Sequence, residues 1–209
     1  MHKCTKSLLT VSVLVCVLTA CGDKRDANAN NFSAVIAQHM ANGVDLCLNV
    51  DNWPVTLGRF DLATKGIQPT GAVERMNALV AVGLATQSDK SANGSVQYSL
   101  TDNAKPFVKE GVAESWVTGS KVKYTSLCYG KMVFDKVVKW EGPMKFGDYQ
   151  EAIVLYTYKI DNLAPWATQP EIQEAFPAEK RLVQGAGVTE MREALKLTSN
   201  GWEVKVARR

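Results

Sequence analysis

KVKYTSLCYG (residues 121–130), KMVFDKVVKW (131–140) and QEAIVLYTYKID (150–161) carry the reading of the fold. All three are rich in Val, Tyr, Phe and Ile, residues that pack well on a pleated surface. GPMKFG (142–147) separates the second run from the third. Downstream, Pro170–Phe176 reads as a short helix with Glu171 and Glu174 in its first turns, where the macrodipole favours carboxylates. Glu190–Thr198 and Trp202–Val206 read as a closing hairpin, with Asn200-Gly201 as a type I′ turn pair. Residues 120–209 are therefore expected to form a mostly antiparallel sheet with one short helix. Gly111–Gly119 reads as the linker leading into it.

Upstream the texture is helical. Phe32, Val35, Ile36 and Met40 follow a 3.6-residue period, with Ser33 as an early cap and Gly43 as the stop. A short strand follows at Leu46–Val50, broken by Asn52-Trp53-Pro54. Val55–Phe60 is extended. Within Ala72–Leu84, residues Val73, Met76, Leu79, Val80 and Leu84 share one face, which makes this the strongest helix in the chain. Val96–Leu100 alternates as a strand. Thr101-Asp102 then caps a short helix limited by Pro106.

MNALVAVGLAT, a polar loop and VQYSLTDNAKPFV resemble the recognition helix, wing and following helix of winged-helix domains. The resemblance implies a winged-helix-like half over residues 32–110. The expected fold class is thus α+β: a helical winged-helix-like N-terminal half and an antiparallel β-sheet C-terminal half. DNA binding is not expected of it. The helix offers Arg75 beside Glu74 and otherwise apolar or neutral side chains, whereas a DNA reader needs several cations for phosphates.

The N-terminus carries Lys3 and Lys6, an apolar run Ser7–Leu18, and then Leu18-Thr19-Ala20-Cys21. These residues resemble the lipobox signal of bacterial lipoproteins. The resemblance implies removal of residues 1–20, acylation of Cys21, and anchoring by several acyl chains, because one chain binds a bilayer only marginally. The apolar run is shorter than the ~20 residues needed to span a bilayer. Gly22 follows the cysteine and Asp23 comes one place later, which favours the outer membrane over the inner. Residues 21–31 read as a flexible tether. YTYKIDNLAPWATQPEIQEAFP and LKLTSNGWEVK also resemble the C-terminal half of uncharacterised bacterial envelope lipoproteins, a likeness that brings no functional residues with it.

Without residues 1–20 the chain keeps 22 basic and 21 acidic side chains, a net charge of about +1. Such a balance leaves no electrostatic footprint for nucleic acid. Of five cysteines, Cys4 and Cys16 belong to the signal and Cys21 would carry lipid. Cys47 and Cys128 remain, an even pair for an oxidising compartment, and a Cys47–Cys128 disulfide tying the two halves together is expected.

The chemistry expected is sparse. His39 is the single histidine outside the signal, on a helix with no acid nearby in sequence. CxxC, HExxH, GxSxG and P-loop spacings do not occur in the sequence. Gly185-Ala186-Gly187 reads as a turn. Asp45, Asp51, Asp61, Asp135, Asp148 and Asp161 are scattered without catalytic spacing. No cofactor, metal site or catalytic residue is expected. Aromatic side chains are the candidates for recognition: Tyr156 and Tyr158 on one strand face, and Trp53 and Trp166 beside prolines, with Trp140 and Trp202 on other strands.

The expectation is therefore a lipid-anchored, periplasm-facing envelope protein without catalytic activity, acting as a partner-binding or assembly module. An immunity or inhibitor lipoprotein is the first alternative, and the near-neutral charge speaks mildly against it. An envelope hydrolase with a dispersed site is the second, and it requires a polar cleft with perturbed acids near His39 or the tryptophans.

Overall fold

The computed structural model describes residues 23–48, 50, 53–114 and 118–206. The expected signal peptide and Cys21 lie outside the described residues. In chain order the elements are α1 (Ala29–His39), β1 (Val44–Cys47), β2 (Val55–Leu57), α2 (Arg59–Ala63), α3 (Ala72–Ala81), β3 (Ala85–Gln87), β4 (Val96–Leu100) and β5 (Val108–Glu114). They continue with β6 (Lys121–Phe146), β7 (Tyr149–Asp161), α4 (Pro170–Ala175), α5 (Pro177–Gly185), β8 (Met191–Thr198) and β9 (Gly201–Val204). Two antiparallel sheets result. The larger runs β1-β6-β7-β8-β9, with β5 also on β6, and the smaller runs β2-β4-β3.

The two runs 121–130 and 131–140 form one strand. Gly130 lets β6 continue where a Cβ would stand 2.6 Å from the Ile160 side chain on β7. Gly142-Pro143 lies inside the same strand as a bulge, where the register with β7 slips between Glu141 and Met144. A bulge absorbs the extra residue and bends the strand without ending it.

One face of the large sheet is covered and the other is open. Along β7, Ala152, Val154, Tyr156 and Tyr158 alternate inward and are buried, while Ile153 and Leu155 between them stay half-exposed. On the open face the neighbouring strands exchange surface ion pairs: Arg192 with Glu141, Lys139 with Glu190, and Lys196 with Glu203. This division is the usual one for an antiparallel sheet. At one end the covered face meets α1. Phe32 sits edge-on to Trp140 at 5.5 Å and to Trp202 at 5.1 Å. Burying such a side chain stabilises by ~1.5–3 kcal/mol. Toward the other end α5 crosses the sheet, and the Tyr158 hydroxyl donates to the Leu182 carbonyl at 2.7 Å. Gly185 ends that helix where a Cβ would come within 2.7 Å of the Tyr158 hydroxyl.

The expected tether is folded from Asp23 onward. The Asn28 side chain caps α1 by accepting from the Asn31 amide at 2.9 Å, so the helix starts earlier than a cap at Ser33 implies. The Trp202 indole N–H donates to the carbonyls of Arg25 and Asp26 at 3.1 and 3.2 Å. Two carbonyls that would otherwise face solvent in a free tether are thereby fixed on β9.

The expected fold class is corrected. Among the described residues strand makes up 41% and helix 29%, so they are mostly antiparallel sheet. A winged-helix-like half over 32–110 does not stand as a unit. The helix α1 packs on β6 and β9, β1 is an edge strand of the large sheet, and β5 pairs with β6. What remains between them is the small sheet with the five-residue α2 and the ten-residue α3. Helix, loop and strand recur in the expected local order, but long-range pairing assigns their neighbours elsewhere.

Cys47 and Cys128 form a disulfide and are directly opposed on β1 and β6. Both therefore belong to one sheet and do not bridge two halves. The bond closes the root of an excursion, 81 residues apart in sequence, that contains the whole small sheet. Beside it the Leu48 amide donates to the Leu127 carbonyl at 2.8 Å. On the far side of the small sheet unit, α3 packs on α4 and Arg75 lies over the Phe176 ring at 5.8 Å.

Candidate functional site

His39 sits at the last turn of α1, above a groove of about 440 Å³ shared with Val35, Gln38, Trp202, Glu203 and Val204. Glu203 is the acidic side chain of that lining, and it is engaged by Lys196 and by the Thr198 hydroxyl, which donates to it at 3.1 Å. The scattered aspartates hold structure. Asp45 pairs with Lys109 and Lys131. Asp61 accepts from the Gly58 amide at 2.9 Å and caps α2. Asp135 accepts from the Thr157 hydroxyl at 2.6 Å, and Asp161 pairs with Lys159. Asp148 is exposed in the β6–β7 turn, and Asp51 lies outside the described residues. Two carboxylates are displaced from the ordinary range, and both go down. Lys105 holds Asp102 low through a hydrogen bond and its charge, and Glu151 is lowered by hydrogen bonds from Lys205 and then Tyr149. A general acid needs the opposite shift. Among the described residues, no group of three or more His, Cys, Asp or Glu side chains could hold a metal ion.

A second cleft, about 450 Å³, opens between the α2–α3 loop, α3 and α4, with Lys65, Glu74, Asn77, Glu171 and Glu174 on an alanine floor. Glu74 is tied to the Gly66 amide at 2.6 Å through one oxygen. The cleft thus gathers the two glutamates that the sequence places at a helix start with one that it does not single out.

The aromatic candidates go mostly into the core. Tyr156 and Tyr158 do share a strand face, but it is the covered one, and both are buried. Trp166 is buried edge-on to Phe107 at 5.6 Å and to Tyr129 at 6.2 Å. Trp53 is half-buried against the core. These four side chains form no common surface, and three of them have none to offer a partner. Burial also pushes the Tyr129 hydroxyl up to about 12, aided by the charge of Glu179.

An exposed strand edge lies where the sequence reads as a linker. β5 and the first residues of β6 form a two-stranded ribbon, Val108↔Leu127 to Glu114↔Lys121. Among the described residues no strand pairs with the outer edge of β5. A row of main-chain donors and acceptors on such an edge is a template for another strand. Register puts Gly111, Ala113, Val122 and Tyr124 on one face of the ribbon, and Glu110, Val112, Glu114, Lys121 and Lys123 on the other. Tyr124 lies across Gly111, where any Cβ would overlap its ring. Val112 and Val122 are 58% and 43% exposed. Lys109 reaches back to Asp45 on β1, which fastens the ribbon at its root. Its signal in the sequence is slight: Val108 and Val112 bracket a glycine, and the turn residues Gly119-Ser120 follow.

No family model, curated protein or solved structure matches the chain.

Proposed function

We propose that the chain is a lipid-anchored envelope protein facing the periplasm, with the outer membrane favoured over the inner, and that it works as a non-catalytic partner-binding module. The observation that carries the reading is the outer edge of β5, unpaired by any described strand and backed by the apolar stripe Ala113, Val122 and Tyr124. A two-stranded ribbon is marginal in water. Adding a strand from a partner satisfies its main-chain groups and covers the stripe, the usual mode of strand augmentation. The lipobox-like Leu18-Thr19-Ala20-Cys21 supports the location, and the Cys47–Cys128 disulfide suits an oxidising compartment. No described helix is long and apolar enough to cross a membrane.

The test places a photoreactive residue at position 122 or, as a control, at the exposed position 188 in living cells. Each is made in the anchored chain and in a Cys21→Ser form. The reading expects one envelope protein captured from 122 in the anchored chain only. Equal capture from 122 and 188, or none from 122, overturns it.

A further inference from the structure

The β6–β7 turn and the β8–β9 turn lie at the same end of the large sheet, since Glu151 pairs with Lys196 and Thr198 with Gly201. The chain also enters the fold at this end. Trp202 holds the carbonyls of Arg25 and Asp26, and Gly201 lies so close under Lys24 that a Cβ there would stand 3.0 Å from the Lys24 carbonyl oxygen. Cys21 precedes Asp23 by two residues, a reach of at most ~7 Å. Acyl chains on Cys21 would leave almost no slack between bilayer and sheet.

What this end presents is unlike the rest of the open face. Beyond the ion pairs, β6 ends in Met144, Lys145 and Phe146, and Phe146 and Met144 are 60% and 42% exposed. Register places both on the face that carries Tyr149. Lys24 and Arg25 are exposed at the same end, in the entry segment against β9, and Lys145 alternates to the opposite face of β6. Exposed aromatic and apolar side chains at one end of a fold that also carries Lys and Arg there suit the headgroup level of a bilayer.

We propose that the Met144–Phe146 tip and the Lys24–Arg25 segment form a bilayer-contact surface, engaged with the same leaflet as the acyl anchor. The occupant is the lipid headgroup layer. The inference rests on the lipoprotein reading and deepens it: two attachments at one end hold the sheet in a fixed orientation. The β5–β6 ribbon, at the opposite end of the same strand β6, then points away from the membrane toward the periplasm.

The experiment uses the full chain in its native membrane, with a benzoylphenylalanine at position 146 or at position 60. Phe60 is 76% exposed on α2, in the excursion rooted at the far end of β6. Mass spectrometry of the same sample reads the modification of Cys21 and the class of photoadduct. Lipid adducts at 146 and their loss at 60 are expected. Acylated Cys21 with protein adducts at 146, or with equal lipid adducts at both positions, overturns the bilayer-contact surface and leaves the anchor standing. Absence of acyl chains on Cys21 overturns the lipoprotein reading and this surface with it. A Met144→Asp, Phe146→Asp chain with an unchanged Tm and fewer lipid contacts by bromolipid quenching supports the surface, and unchanged quenching contradicts it.

Discussion

β6 places two regions of the same strand side by side. From Cys128 to Met132 it has β1 as a partner, β7 joins from Lys131 onward, and Leu127 and Tyr129 are buried, Tyr129 edge-on to Trp166. From Lys121 to Ser126 it has β5 as its strand partner, and its apolar side chains face solvent. Composition barely differs between the two stretches: each mixes Val or Leu with Tyr, Lys and Ser or Phe. Cover, more than sequence texture, separates a core from an interaction edge. Covered residues stabilise the fold, similar chemistry a few positions away stays exposed, and on the proposed reading that stretch serves another chain.

The comparison can be broken at its root first. Removing the disulfide with Cys47→Ala and Cys128→Ala frees the excursion that holds the small sheet. The chain-entropy relation for an 81-residue separation gives a loss of about 4.5 kcal/mol, less any relief of strain. Denaturant midpoints of the double variant against the parent measure it. Next, Leu127→Ala leaves a cavity in the sealed stretch and should cost about 2–5 kcal/mol. Val122→Ala, five positions earlier, should stay within ~0.5 kcal/mol by the same measurement. Equal losses at the two positions would erase the distinction.

Tyr158→Phe sharpens it on the covered face. The Leu182 carbonyl loses its donor, at a cost of about 1–3 kcal/mol for a buried group left unpaired. Thermal unfolding of the single variant reads that loss. A further test is alkaline. Tyr129 ionises near 12 in the folded chain and near 10 when unfolded. Its neutral form therefore supports the fold fully below pH 10, and that support fades as pH climbs toward 12. Tyr98, Tyr156 and Tyr158 shift upward as well, chiefly by burial. Tm should fall over that window, together with a late, cooperative rise in tyrosinate absorbance.

Local chemistry made part of this structure readable. Val73, Met76 and Leu79 recur on one face and form α3 as their spacing predicts. The β8–β9 hairpin forms as expected, although its turn is Ser199-Asn200 with Gly201 already paired to Thr198, and cysteine parity points to the disulfide that forms. Pairing partners were not readable. Apart from Cys47, the residues of β1 carry no mark of a strand more than 80 positions away, and the disulfide alone reads as well as a tie between two halves. Gly111 disguised β5 as a linker, because the ring of Tyr124 fills the place of its missing side chain only after β6 has paired. One short helix is expected in this half, whereas α5 follows Phe176 directly as another, with Pro177 as a favourable first helical residue. For the candidate site, attention went to tryptophans and tyrosines as residue types. Burial then took Tyr156, Tyr158 and Trp166, and left exposed the less conspicuous Val112, Val122 and Phe146.

The central claim is that the β5–β6 ribbon is an edge awaiting a strand. Amide hydrogen exchange tests it most directly, comparing the purified chain with the same chain in intact envelopes. The account predicts fast exchange for residues 108–114 and 121–126 in isolation and strong protection of the same amides in the envelope, with residues 127–134 slow in both. Ribbon amides that exchange at the same rate in both states would contradict it.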